Sequence, residues 1–172
     1  MSEAVTRIVL VGLPGAGKST VGALVAAGLG WEFVDLDTEI ECASGMRVPE
    51  IFRQEQESGF RAREQAATEA LRGRTRMVLA PGGGWVLDLA NLELLGPGTL
   101  TVYLRVSAEV AASRLESALG TRPLLDDAEP VERLKFLLAT REAAYLQANH
   151  TVTVDSMSSA EVASLIVALA SG

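Results

Sequence analysis

The chain has 172 residues, 48% of them hydrophobic, which suffices for one domain with a real core. A formal charge of −7 argues against a nucleic-acid partner, and a single cysteine and a single histidine exclude an internal disulfide and any cysteine or histidine metal cluster. The N-terminus lacks a basic segment followed by an apolar run, and no stretch is long and apolar enough to cross a bilayer, so a cytoplasmic protein without a membrane partner is expected.

The first strand is expected over 6–11 and the first helix over 18–29. Between them runs Gly12-Leu13-Pro14-Gly15-Ala16-Gly17-Lys18-Ser19-Thr20, the P-loop pattern G-x-x-x-x-G-K-[ST] in its strand-to-helix setting. Gly12, Gly15 and Gly17 let the backbone turn tightly, so that consecutive N–H groups converge on one point. The helix beginning near Lys18 adds its N-terminal partial charge there. Gly15, Ala16, Gly17, Lys18, Ser19 and Thr20 are thus the candidate cradle for a nucleoside triphosphate, with Lys18 on the β- and γ-phosphates and Ser19 on Mg²⁺. Lysine occurs only at 18 and 135, so its presence in this loop is not a compositional accident.

Further strands are expected near 32–36, 76–80, 99–105 and 151–155. Helices are expected over about 38–45, 48–73 in two pieces, 86–95, 108–118, 130–148 and 159–170. This alternation implies βαβ units, hence an α/β fold with a parallel sheet covered on both faces. Ser158 with Glu161 forms a candidate capping box for the last helix. Asp35 and Asp37 close the second strand, at the edge where open α/β sheets bind ligands. On an extended chain their spacing puts both carboxylates on one face, one for Mg²⁺ and one for a substrate hydroxyl. The competing role for Asp37 is to cap a helix starting at Thr38.

Arg61 and Glu64 are i,i+3 neighbours on a helix, where a surface ion pair is the default. Gly82, Gly83 and Gly84 follow the third strand and leave no side chain between backbone and ligand. Residues 118–130 are poor in regular pattern and suit a mobile lid, on which Arg122 can swing over phosphates or simply be solvated. Arg141 and Tyr145 lie on a long helix. Cys42 and Met46 read as core, His150 as leading into the last strand, and Trp31 and Trp85 as packing residues.

Taken together, Gly12–Thr20, Asp35-x-Asp37, Phe60-Arg61 with Glu64, Gly82-Gly83-Gly84, Arg122-Pro123-Leu124-Leu125 and Arg141 with Tyr145 resemble shikimate kinase from about residue 5 to 170. The resemblance implies a P-loop kinase fold: a single domain over 1–172 with a five-stranded parallel sheet and a lid, working as a monomer. It implies ATP-dependent phosphorylation of the shikimate 3-hydroxyl, on the way to chorismate and the aromatic amino acids, with Mg²⁺ held by Ser19 and Asp35. Asp37 would bind the shikimate hydroxyls and act as base, and Arg61 and Arg141 would grip the carboxylate. Gly83 would meet the substrate through its backbone, Arg122 would reach the phosphates, and Arg114 would stack on adenine. The chain departs from the family at Gln56, where glycine is common, and at Trp85, where a small residue is usual and an indole can narrow the acceptor pocket. The segment Asp155–Ser158 also lacks the proline or arginine often found against adenine. The rival expectations are a gluconate-kinase-like enzyme and a non-catalytic ATP-binding relative. A GTPase is disfavoured because no Asn-Lys-x-Asp signature occurs.

Overall fold

All five expected strands form, at about the expected limits: β1 Arg7–Val11, β2 Glu32–Asp35, β3 Met77–Ala80, β4 Thr99–Arg105 and β5 His150–Thr153. In the computed structural model, which describes residues 3–116 and 129–172, they make a single parallel sheet in the order β2-β3-β1-β4-β5. Ile8, Val9 and Leu10 of the central strand are wholly buried, as is expected where helices cover both faces.

The helices are α1 Lys18–Leu29, α2 Leu36–Ser44, α3 Val48–Ala70, α4 Leu89–Leu95, α5 Ala108–Glu116, α6 Pro130–Tyr145 and α7 Ser159–Ser171, with a 3₁₀ turn over Trp85–Leu87. Right-handed crossovers put α1 and α7 on one face, where they pack together. The remaining helices cover the other face, α3 against α4 and α5 against α6. The chain runs outward to β2, returns to β3, then crosses to β4. The order therefore reverses around β1, and the crevice lies at the carboxyl ends of β1 and β3.

Three boundaries and one burial reading differ from expectation. Helix α2 begins at Leu36, and its cap is Asp35, whose carboxylate accepts from the Thr38 amide at 3.2 Å. Asp37 therefore does not cap, and it does not share an extended strand with Asp35. It sits in the first turn of the helix. The expected helix over 86–95 is broken at Asp88, which caps α4 by accepting from the Ala90 amide at 3.0 Å. Helix α6 stops at Tyr145, because Asn149 turns the chain into β5 by accepting from the Thr101 amide and hydroxyl at 2.8 and 2.9 Å. Cys42 is exposed, on the side of α2 away from its buried Leu36 and Ile40.

Helix α3 does come in two pieces. The break falls at Gln56, with φ 62 and ψ −174, a region that glycine normally occupies. Arg63 closes over it with a forked contact to Glu55, at 2.8 and 2.6 Å. The capping box of α7 is present: Ser158 and Glu161 each accept from the other's amide, at 3.2 and 2.7 Å.

Candidate active site

The phosphate loop connects β1 to α1. Gly12, Gly15 and Gly17 have φ of 151, 84 and 91. A Cβ on Gly15 would lie 2.6 Å from the Ala111 carbonyl oxygen, and one on Gly12 would lie 2.7 Å from that of Leu104. At Gly12 and Gly15 the loop is thus pressed against β4 and α5 with no room for a side chain. Gly17 begins α1 without a side-chain cap, so the first-turn amides line the cavity. Lys18 is buried, and its Nζ donates to the Gly12 and Leu13 carbonyls at 2.7 and 2.9 Å.

The cavity measures about 510 Å³. Gly15, Gly17, Lys18, Ser19 and Thr20 line one side, and Asp35, Asp37, Ala80, Pro81 and Gly82 line another. Arg114, Leu115, Met157, Ser158 and Ser159 line a third side. Ser19 Oγ donates to Asp35 Oδ2 at 2.8 Å, which brings a hydroxyl and a carboxylate together where the loop meets β2. Hard oxygen donors of this kind suit Mg²⁺. Arg114 donates to the Ala16 and Val154 carbonyls at 3.3 and 3.2 Å, tying the phosphate loop to the segment after β5.

The glycine triplet after β3 gathers the other charged residues. A Cβ on Gly82 would lie 3.3 Å from Glu64 Oε2 and 3.6 Å from Asp37 Oδ1. One on Gly83 would lie 2.9 Å from Arg141 Nη1, 3.1 Å from Pro14 Cδ and 3.3 Å from the Gly12 carbonyl oxygen. One on Gly84 would collide with the Arg61 guanidinium. Asp37, Arg61 and Arg141 thus converge on three consecutive glycines, and the middle glycine touches the phosphate loop.

Glu64 is the member that the local spacing undervalued. It is 1% exposed, and its Oε1 accepts from Arg61 Nη1 at 2.9 Å, so the pair is no surface ion pair. Burial pushes the Glu64 carboxyl up to about 7, against the pull of Arg61 and Arg141 and helped by the Asp37 charge. Phe60, Glu64 and Thr68 form one buried stripe at spacing four on α3, and that periodicity was available in the sequence. Trp85 does not narrow the cavity: it is 2% exposed, packs in the core, and donates its indole N–H to Thr68 Oγ1 at 2.9 Å. Met46 packs against the core from a partly buried position. Arg122 and most of the expected lid over 118–130 lie outside the described residues.

Comparisons with known proteins place the chain in a family. The family model for shikimate kinase matches residues 14–170. This chain belongs to the shikimate kinase family. It is 47% identical over 140 residues to a shikimate kinase of Halorhodospira halophila, covering 81% of this chain and 78% of that one. A shikimate kinase from Acinetobacter baumannii, solved in complex with shikimate, superposes with a TM-score of 0.90 at 38% identity, covering 97% of this chain and 93% of that one. A gluconokinase from Sinorhizobium meliloti superposes with a TM-score of 0.64 at 23% identity, covering 97% and 92%, and shares the fold alone. The shikimate kinase fold therefore accounts for the sheet order and the strand-to-helix phosphate loop. No helix among the described residues is long and apolar enough to cross a membrane.

Proposed function

We infer that two groups of residues divide the shikimate kinase reaction, the phosphate loop holding the donor and the glycine-triplet cluster holding the acceptor. The enzyme transfers the γ-phosphoryl group of ATP to the 3-hydroxyl of shikimate, giving shikimate 3-phosphate and ADP on the way to chorismate and the aromatic amino acids. The observation that carries the assignment of residues is the position of Gly83, between Arg141 on one side and Pro14 and the Gly12 carbonyl on the other. An acceptor lying against that glycine is within reach of the donor loop.

In this reading the amides of Gly15 to Thr20 and the Lys18 ammonium cradle the phosphates. Arg114, with Leu115 and Met157 beside it, lines the nucleobase end of the cavity. Arg61 and Arg141 grip the shikimate carboxylate, for which a planar guanidinium fork is suited. Gly82, Gly83 and Gly84 let the ring lie against the backbone. Asp37 binds the ring hydroxyls and takes the proton of the 3-hydroxyl as its oxygen attacks the γ-phosphorus in line, without a phospho-enzyme. Arg122 reaches the phosphates as the lid closes, which excludes water that would otherwise hydrolyse ATP.

Ser19 and Asp35 would hold Mg²⁺. Their oxygens lie 2.8 Å apart, and among the described residues no cluster of acidic, histidine or cysteine side chains forms a cage of its own. This fits an ion that takes its remaining ligands from phosphate and water, and when bound it neutralises phosphate charge. The proposed site needs no residue from a second copy, so the chain is read as a single-domain monomer, and the sequence reading places it in the cytoplasm.

The test is a coupled ADP-release assay with shikimate, quinate, gluconate or no acceptor. Release is expected with shikimate and at background with gluconate. Equal rates with gluconate, or release independent of acceptor, would overturn the assignment.

A further inference from the structure

We propose that Tyr145 is a positioning residue for the acceptor, fixing the Gly83 peptide in the frame that α6 gives to Arg141. The Tyr145 hydroxyl donates to the Gly83 carbonyl at 2.6 Å, from 62 residues away in sequence. The flanking carbonyls are held locally, Gly82 by the Trp85 amide and Gly84 by the Leu87 amide, each at 3.1 Å. Among the described residues the Gly83 carbonyl is thus the one of the three held by a side chain of another element.

The tyrosine is well fixed for that purpose. It is fully buried, and its ring stacks on Tyr103 of β4 with centroids 5.0 Å apart and planes 26° apart. Arg141 stands one helical turn earlier on the same face of α6, and its Nη1 lies 2.9 Å from where a Gly83 Cβ would stand. Helix α6 therefore meets Gly83 twice, bonding its carbonyl through Tyr145 and filling the place of its missing side chain with Arg141. On its remaining side Gly83 meets Pro14 and the Gly12 carbonyl, so its placement also sets the distance from acceptor to donor loop. Burial raises the Tyr145 pKa to about 12 against the charge of Arg141, which also hydrogen-bonds the tyrosine side chain, and that of Arg61, so the hydroxyl keeps its proton at working pH.

The inference rests on the reading that Arg141 grips the shikimate carboxylate, and its test separates the two. Steady-state KM values for shikimate and for ATP are measured in Tyr145→Phe, Tyr103→Phe and Arg141→Lys. Tyr145→Phe keeps the ring and its stack, and loss of the hydroxyl's hydrogen bonds should lower the melting temperature by only about 2–4 °C. It should raise the shikimate KM about five- to tenfold and leave the ATP KM within about twofold. Tyr103→Phe also removes a buried hydroxyl, but one with no hydrogen-bond partner among the described residues, and it should change neither value. If Arg141→Lys raises the shikimate KM and Tyr145→Phe does not, the positioning role is wrong and the carboxylate grip stands. If Tyr145→Phe raises both KM values alike, the residue serves general packing and the inference fails. An unchanged shikimate KM in Arg141→Lys would overturn the grip and this inference with it.

Discussion

The two halves of the proposed active site are built by opposite means. The donor half is contiguous, residues 12–20, and consists largely of backbone: three glycines at positive φ and the first turn of α1. The acceptor half is assembled from four separate places, Asp37 on α2, Arg61 and Glu64 on α3, the glycine triplet after β3, and Arg141 with Tyr145 on α6. Its chemistry lies in charged side chains, one of them a carboxylate that is almost fully buried. A backbone cradle tolerates no added atom, whereas a side-chain cluster tolerates shape changes but not the loss of a charge or a fork. The two halves should therefore fail differently when altered.

The largest effect is expected at the one acceptor residue assigned to the chemical step. Asp37→Asn should lower kcat by about 10²–10⁴ while a non-hydrolysable ATP analogue binds as before. Turnover near the wild-type rate would remove Asp37 as the base. Next comes the donor cradle. Gly15→Ala sets a Cβ on a residue at φ 84 and 2.6 Å from a backbone oxygen, so neither strain nor clash can be relieved by a side-chain shift. ATP affinity should fall on the order of a hundredfold, while shikimate still binds in calorimetry.

Glu64 gives the acceptor half a pH signature of its own. Its carboxyl is raised from 4.5 to about 7 in the folded protein, mainly by burial, so between those values the folded state binds more protons than the unfolded one. Its contribution to stability therefore falls as pH rises through that window, by at most about 3 kcal/mol. Melting curves of Glu64→Gln should lose this slope relative to wild type. Parallel pH profiles would show that Glu64 is not the source. The smallest effect concerns strain at the kink of helix α3, which carries Arg61 and Glu64. Gln56→Gly should relieve the strained conformation at φ 62 and, after the added chain entropy of glycine, stabilise by about 1 kcal/mol in a denaturant titration.

The same division decides how much could be read from sequence. The phosphate loop is local, so its glycines, Lys18 and Ser19 were legible at once, as were the alternating elements and the capping box of α7. Arg61, Glu64 and Arg141 were bland in isolation, because nothing in their own neighbourhoods says that helices α3 and α6 converge on Gly82–Gly84. Only resemblance to the family drew them together. Asp37 was assigned to the right wall for the wrong local reason, since the helix starts two residues before Thr38 and Asp35 takes the cap. Trp85 reads as a packing residue from the sequence and is one; the pocket role came only from comparison with the family's small residue, and the 3₁₀ turn after the triplet rules it out by turning the indole into the core.

The claim on which the account turns is that the acceptor is held by guanidinium forks independently of the donor cradle. Titration calorimetry of shikimate and of a non-hydrolysable ATP analogue into Arg61→Lys and Arg141→Lys tests it directly. Shikimate affinity should fall by about tenfold or more in each variant, with the analogue bound within about twofold of wild type. Unchanged shikimate affinity in both, or an equal loss for both ligands, would contradict it.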